Sequence, residues 1–291
     1  MVPYDSAMPV AVGVTIFTTD LSIGPAEIAR EAEARGFESL FVPEHTHIPT
    51  SRRTPYPPGE PLPEEYRRTF DPFVALTAAA AATERIKLGT GICLAAQHHP
   101  INAAKATACI DVLSKGRFVF GVGFGWNHDE MEDHGVEPKR RRAQCREHVL
   151  AIKSLWVDDE ACFEGEFVHL PPSWSWPKPV QRPHPPILMG GAAGPTLFEH
   201  IVEYADGWVP MGGHGLSVNI PKLRSLAEDA GRDPSSIRVT VAIDAPPEPA
   251  RLERYAALGV ERVVLWLPSA PADVVLPILD RYAALLGSEA S

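Results

Sequence analysis

A (β/α)8 barrel with two insertions is the fold that the sequence predicts. Eight short apolar runs recur along the chain, and helical stretches alternate with them. The first run leads into Phe17-Thr18-Thr19-Asp20 rather than into the glycine fingerprint that an open dinucleotide-binding sheet carries after its first strand. Regular alternation of this kind points to a closed parallel barrel. A barrel takes about 250 residues, so a chain of 291 residues accommodates one as a single domain, residues 1–291, with room for insertions.

The runs are Val10–Phe17, Glu38–Val42, Ile86–Cys93, Arg117–Val122, Ile187–Gly190, Gly207–Met211, Arg238–Ile243 and Arg262–Leu267. Most are near-continuous Val, Ile, Leu and Phe, the pattern of strands covered on both faces. Helices are expected over Pro25–Arg35, Pro72–Thr83, Ile101–Leu113 and Arg142–Leu155. The second half supplies Pro195–Tyr204, Asn219–Ala230, Pro249–Leu258 and Pro271–Leu286. Two segments interrupt the alternation. Pro49–Arg68 follows the second strand and belongs on the active face, whereas Val157–Pro186 is entered from a helix and is expected to cover part of the opposite end. Within the latter, Cys162–Phe167 reads as a small hairpin around Glu164-Gly165.

The net charge of −10 argues against a nucleic-acid partner, which requires clustered Lys and Arg. Lys139-Arg140-Arg141-Arg142 is the one dense basic run, and it reads as a solvated helix face. The four cysteines form no C-x-x-C pair, which suits a reducing cytosol. No signal-peptide pattern and no apolar run long enough to span a membrane is expected.

Barrel enzymes place their chemistry at the C-terminal ends of the strands. Here those ends read Pro43-Glu44-His45-Thr46-His47 after the second strand and Gly89-Thr90-Gly91-Ile92 at the third. The fourth ends in Gly121-Val122-Gly123-Phe124-Gly125-Trp126-Asn127, and the fifth in Gly190-Gly191-Ala192-Ala193-Gly194-Pro195. With "GVGFGWNHDEMEDHGVEPKRR" from Gly121, "PKPVQRPHPPILMGG" from Pro177 and "YADGW" from Tyr204, the chain resembles the bacterial luciferase-like superfamily over nearly its whole length. Within it, the resemblance is to the actinobacterial oxidoreductases that use the deazaflavin coenzyme F420.

That resemblance implies a deazaflavin cofactor, FMN being the alternative, and a small organic substrate. It implies a non-proline cis peptide at Gly91-Ile92 behind the cofactor ring, and cofactor contacts from Glu44, Gly123, Phe124 and Gly125. The turn Gly191-Ala192-Ala193-Gly194 lacks bulk, and Pro195 opens a helix whose free N–H groups suit a phosphate, with the Thr196 hydroxyl beside them. His45 stands where related sugar-phosphate dehydrogenases carry a catalytic histidine, and imidazole exchanges protons near neutral pH. Trp126 stands where those relatives carry a glutamate acid, which leaves the second acid or base unassigned. A pocket walled by Phe17, Phe124, Trp126 and one of Trp174 or Trp176 would favour an apolar or planar molecule.

Three other readings stay open. His45-Thr46-His47 looks like the metal pair of barrel amidohydrolases, although that pair belongs on the first strand, and the last strand ends here in Trp266-Leu267-Pro268-Ser269 without the required Asp. A flavin monooxygenase is the second, against which stands the short connection Asp244-Ala245-Pro246-Pro247 where such enzymes often carry a long loop. The third is a binding protein that keeps the pocket without the chemistry. Finally, the helices around Pro72–Thr83 and Ile101–Leu113 are small and apolar nearly all round, and the resemblance implies dimerisation through these same two helices. A homodimer is therefore expected.

Overall fold

In the computed structural model the eight runs close into a parallel barrel, in the order β1 (Ala11–Thr15), β10 (Arg262–Trp266), β9 (Arg238–Ile243), β8 (Gly207–Pro210), β7 (Ile187–Gly191), β4 (Phe118–Gly123), β3 (Lys87–Thr90) and β2 (Ser39–Val42). The description covers residues 10–57, 59, 61–244, 249–284 and 286. The tripeptide Ala245-Pro246-Pro247 after β9 lies outside the described residues. The strands are buried almost throughout, β4 at every position, which is why their sequences show no polar alternation.

Strand ends peel away from the ladder earlier than their apolar sequences suggest. β1 stops at Thr15, and Ile16 and Phe17 continue toward the mouth as buried residues outside the strand. β3 pairs with β4 only through Leu88 and Gly89. Beyond Thr90 the chain bulges, and Cys93 rejoins β4 in an isolated bridge with Val122.

Outside the barrel lie α1 (Pro25–Ala34), α2 (Pro72–Ala82), α3 (Pro100–Leu113), α5 (Arg141–Val157), α6 (Pro195–Tyr204), α7 (Leu216–Asp229), α8 (Pro249–Ala257) and α9 (Ala272–Ala283). Their starts follow local chemistry. Pro72 occupies the first turn of α2, and the Asp71 side chain caps it by accepting from Val74 N at 2.9 Å. A further short helix, α4 (His128–Asp133), falls within a stretch that the periodicity does not mark as helical.

The two insertions separate as expected. The first crosses the C-terminal mouth, tied to α4 through Asp129, which accepts from Ser51 Oγ at 2.6 Å and Arg53 N at 2.9 Å. The second forms an antiparallel pair, β5 (Ala161–Glu164) and β6 (His169–Ser173). Its turn spans residues 165–168, and Glu147 on α5 accepts from the N–H groups of Glu166, Phe167 and Val168 at 2.6–3.1 Å. It then runs back under the barrel. Asp111 accepts from Val180 N at 2.6 Å, and Gln181 Nε2 donates to Phe118 O at 2.7 Å, at the start of β4.

At that N-terminal end, Arg262 is buried and paired with Glu38. Its Nε and Nη2 lie 2.5 and 2.7 Å from the two carboxylate oxygens, and Lys87 adds a third contact at 2.7 Å. Burial would raise the Glu38 carboxyl. The Arg262 hydrogen bonds and charge outweigh it and hold the group at about 2. The bidentate pair joins the foot of β10 to the foot of β2 across β1.

Candidate active site at the C-terminal mouth

The site begins where β2 ends. His45 turns inward and is nearly buried, and its Nδ1 lies 2.7 Å from Oε2 of Glu130 on α4. The other Glu130 oxygen accepts from Thr46 N at 3.2 Å. Glu130 has no solvent exposure. A carboxylate accepts only, so Nδ1 carries the proton and Nε2 is the nitrogen left for a ligand. Sequence reasoning did not find Glu130. It lies 85 residues from His45 on a six-residue polar helix with no apolar period.

Glu44, the preceding residue, faces the β3 exit. Its Oε2 accepts from Leu94 N at 2.6 Å and its Oε1 meets His98 Nε2 at 2.5 Å. Burial opposes charge on both side chains. Even so, the His98 contact and the Leu94 N–H hold the Glu44 carboxyl below its ordinary value, and the carboxylate raises the His98 imidazole. Cys93 lies against the same carboxylate, and burial together with that charge keeps its thiol protonated. The ligand atoms of Glu44, Cys93 and His98 fall within 4.8 Å of one another, a grouping that contains neither His45 nor His47. The hydrogen bonds occupy both Glu44 oxygens and fasten the β3 exit to β2. His47 diverges from His45, meeting Asp133 at 3.0 Å near the surface, so the H-x-H pair does not converge on one point.

The Gly91-Ile92 peptide is cis. The Ile92 side chain fills room left by glycines on neighbouring strands: a Cβ on Gly123 would sit 1.8 Å from Ile92 Cδ1, and one on Gly190 2.8 Å from Ile92 Cγ2. Gly123 therefore has a packing reason for its identity. Gly125 adopts φ +73°, and a Cβ there would meet Met131 at 2.9 Å. Phe124 is half-buried at the outer rim, where its ring meets His200 at 5.4 Å and the Arg142 guanidinium at 5.2 Å.

Aromatic rings surround His45. Tyr66 and Trp126 lie 5.1 and 5.7 Å from its ring. Phe17 meets Tyr66 at 4.7 Å and Trp266 at 5.8 Å, and Tyr56 meets Tyr66 at 5.2 Å and Trp126 at 5.8 Å. Phe17 and Trp126 thus wall the mouth as expected, but Trp174 and Trp176 do not. They are exposed on the second insertion, where Lys105 of α3 donates to the Trp176 carbonyl. Tyr56, Tyr66 and Trp266 take their place, two of them from the proline-rich insertion after β2.

The turn after β7 is open. Ala192, Ala193, Pro195 and Thr196 are exposed, and a Cβ on Gly194 would meet nothing within 4 Å. α6 has no side-chain cap, and Pro195 fills its first position. Its first-turn N–H groups, Thr196 and Leu197 among them, have no intrahelical acceptor. Gly191 adopts φ +157°, and its carbonyl accepts from Trp208 Nε1 at 2.9 Å.

These residues fit a flavin-type cofactor. An uncapped helix start with a bare turn suits the phosphate. Beside the mouth, neither the amide nitrogen nor the oxygen of the buried Asn127 side chain has a partner among the described residues, which suits a polar ring edge.

Residues 25–277 match the family model described as luciferase-like monooxygenase. A Mycobacterium tuberculosis protein described as uncharacterized is 46% identical over 281 residues, covering 94% of this chain and 98% of its own. An F420-dependent glucose-6-phosphate dehydrogenase of Kineococcus radiotolerans is 27% identical over 250 residues, covering 84% of this chain and 68% of its own. Among solved structures, an F420-dependent secondary alcohol dehydrogenase in complex with an F420-acetone adduct superposes with a TM-score of 0.72 at 20% identity, covering 95% of this chain and 98% of that one. That last likeness is one of fold.

Proposed function

This chain belongs to the luciferase-like monooxygenase family, and on that premise we propose that it is an oxidoreductase using the deazaflavin coenzyme F420 on a small organic substrate. When bound, the deazaflavin supplies two-electron hydride chemistry without activating oxygen. The residues proposed to hold it are the 191–196 turn and the start of α6 for its phosphate, with the Gly91-Ile92 bulge, Glu44, Gly123, Phe124, Gly125 and Asn127 around its ring.

The observation that carries the reading is the His45–Glu130 pair. Hydride transfer to or from a carbon that bears oxygen requires a proton at that oxygen. His45 holds or releases it at Nε2, and Glu130 fixes the tautomer and stabilises the protonated ring. Trp126 and Tyr66 exclude water from the same space. A flavin-dependent monooxygenase is the alternative, supported by the family itself. We further propose a homodimer through α2 and α3. A cytoplasmic location is in keeping with four cysteines that are all free thiols.

Titration of one preparation with F420 and FMN, following cofactor fluorescence, tests the reading. F420 is expected to bind at least tenfold more tightly. Preferential FMN binding would overturn the deazaflavin assignment in favour of the monooxygenase.

A further inference from the structure

The aromatic rings at the mouth have a chemistry beyond excluding water. Phe17, Tyr56, Tyr66, Trp126 and Trp266 come from four separate stretches of chain and form one connected group, with Tyr66 and Trp126 against His45. None of the five carries a charge. Tyr56, Tyr66 and Trp126 lie against one another and Trp266 against Phe17, yet these four rings belong to residues that are only partly buried. Partly exposed ring faces gathered at the functional end of a barrel are a stacking surface for another flat molecule.

The tyrosine hydroxyls add a polar requirement. Tyr56 Oη and Tyr66 Oη lie 3.3 Å apart, and no other polar group of the described residues meets either one. Each hydroxyl has one proton. Whichever donates to the other, the second proton is left to point at a ligand. Burial and the neighbouring hydroxyl both push the Tyr66 phenol up, so Tyr66 keeps its proton near neutral pH. Such a pair recognises an acceptor without charge.

We propose that the cage formed by Phe17, Tyr56, Tyr66, Trp126 and Trp266 is the substrate subsite, and that it takes a planar conjugated carbonyl compound whose oxygen accepts a hydrogen bond from the Tyr56–Tyr66 pair. The proposal rests on the redox reading of His45, because the carbonyl carbon is then the hydride acceptor beside that residue. It adds the class of substrate, flat and conjugated, and the two residues that select it.

Calorimetric titration of the cofactor-free protein with two ketones of the same skeleton tests it. These are 1-tetralone, with a fused aromatic ring, and 1-decalone, which is saturated and puckered. A third compound, tetralin, has the ring without the carbonyl. Wild-type protein is expected to bind 1-tetralone about tenfold more tightly than 1-decalone, the scale of one or two aromatic contacts. Tyr66→Ala should abolish that preference. The double variant Tyr56→Phe/Tyr66→Phe should keep the preference for the flat ring but lose the roughly threefold to tenfold advantage of 1-tetralone over tetralin that one hydrogen bond supplies. Circular dichroism of each variant confirms folding. Equal binding of the two ketones, or a preference that survives Tyr66→Ala in a folded variant, overturns the proposal. F420 titration of the same preparations separates the two readings: F420 binding without ketone discrimination removes the cage as substrate site alone, and discrimination without F420 binding removes the deazaflavin alone.

Discussion

His45 Nδ1 and Glu130 Oε2 meet at 2.7 Å with both side chains buried, although the two residues are 85 positions apart. The contact decides which nitrogen of the imidazole faces the mouth. It also makes two variants separable. His45→Ala should lower turnover by about 10²–10⁴-fold while changing F420 affinity little, since proton transfer contributes on that scale. Glu130→Gln retains a side chain that can still accept from Nδ1 but removes the charge, so a smaller loss is expected, concentrated in kcat and its pH profile. Unchanged turnover in His45→Ala would show that the residue only shapes the pocket.

Gly194 offers a cleaner probe of the phosphate turn than Gly191. The left-handed region at Gly191 would strain any other residue, so a variant there confuses folding with binding. Gly194 adopts φ 175°, which any residue can take, and a Cβ there meets nothing within 4 Å. Gly194→Val should leave thermal stability within a degree or two and weaken F420 binding by about tenfold or more, in line with losing hydrogen bonds to a charged group. Wild-type affinity in this variant would place the phosphate elsewhere.

How much of this was readable beforehand depended on what the signal was made of. The limits of β9 and α6 fall where the sequence put them, because a turn-bounded apolar run and Pro195 are local signals. Phe17 and Ile92 looked like strand because they are apolar, yet both lie outside the ladder at the C-terminal end of the barrel. α4 is short and charged, with no period to detect, and its Glu130 gains meaning only when the fold brings it to His45. Tyr56 and Tyr66 sit in a proline-rich insertion whose path no periodicity reveals. Trp174 and Trp176 show the converse, since aromatic identity alone cannot tell a pocket wall from a surface.

The Glu38–Arg262 pair gives the stability a defined acid limit. The Glu38 carboxyl stands at about 2 when folded against an ordinary value of 4.5. A depressed carboxyl contributes stability that is fully present above 4.5 and is lost as pH falls toward 2. Glu38→Gln should therefore destabilise the protein by about 3 kcal/mol at pH 7, much of it from taking the bidentate partner away from buried Arg262, which retains the Glu261 carboxylate at 3.0 Å. The gap to wild type should close between pH 4.5 and 2, where wild-type Glu38 also becomes neutral. Denaturant midpoints across that window measure it, and a constant gap would mean that the pair does not set the acid limit.

The remaining prediction concerns the outer faces of α2 and α3. Each has an inner face buried against its neighbours, yet the outer one carries large apolar side chains beside Asn102 and Lys105. Val74 is 68% exposed, Leu113 is 59% exposed, and Ile101 and Val112 are exposed beside them. The second insertion lengthens this surface, because Trp176 is held to α3 through Lys105 while its ring is 59% exposed. Scattered apolar residues on a surface are ordinary, but several on two adjacent helices with an added tryptophan are the kind that a partner covers. A second copy of the chain is the occupant that fits: two helices from each copy related by a twofold axis present the same strip to each other, and alanines such as Ala78 and Ala81 let the backbones approach closely. Light scattering coupled to size exclusion should give twice the 31.7 kDa of the chain at micromolar concentration. Val74→Asp would bury two unpaired charges across the axis, one from each copy, and should shift the mass to that of the monomer while leaving the circular dichroism spectrum intact. A wild-type mass of 31.7 kDa, or a dimer indifferent to Val74→Asp, would put these two helices in water.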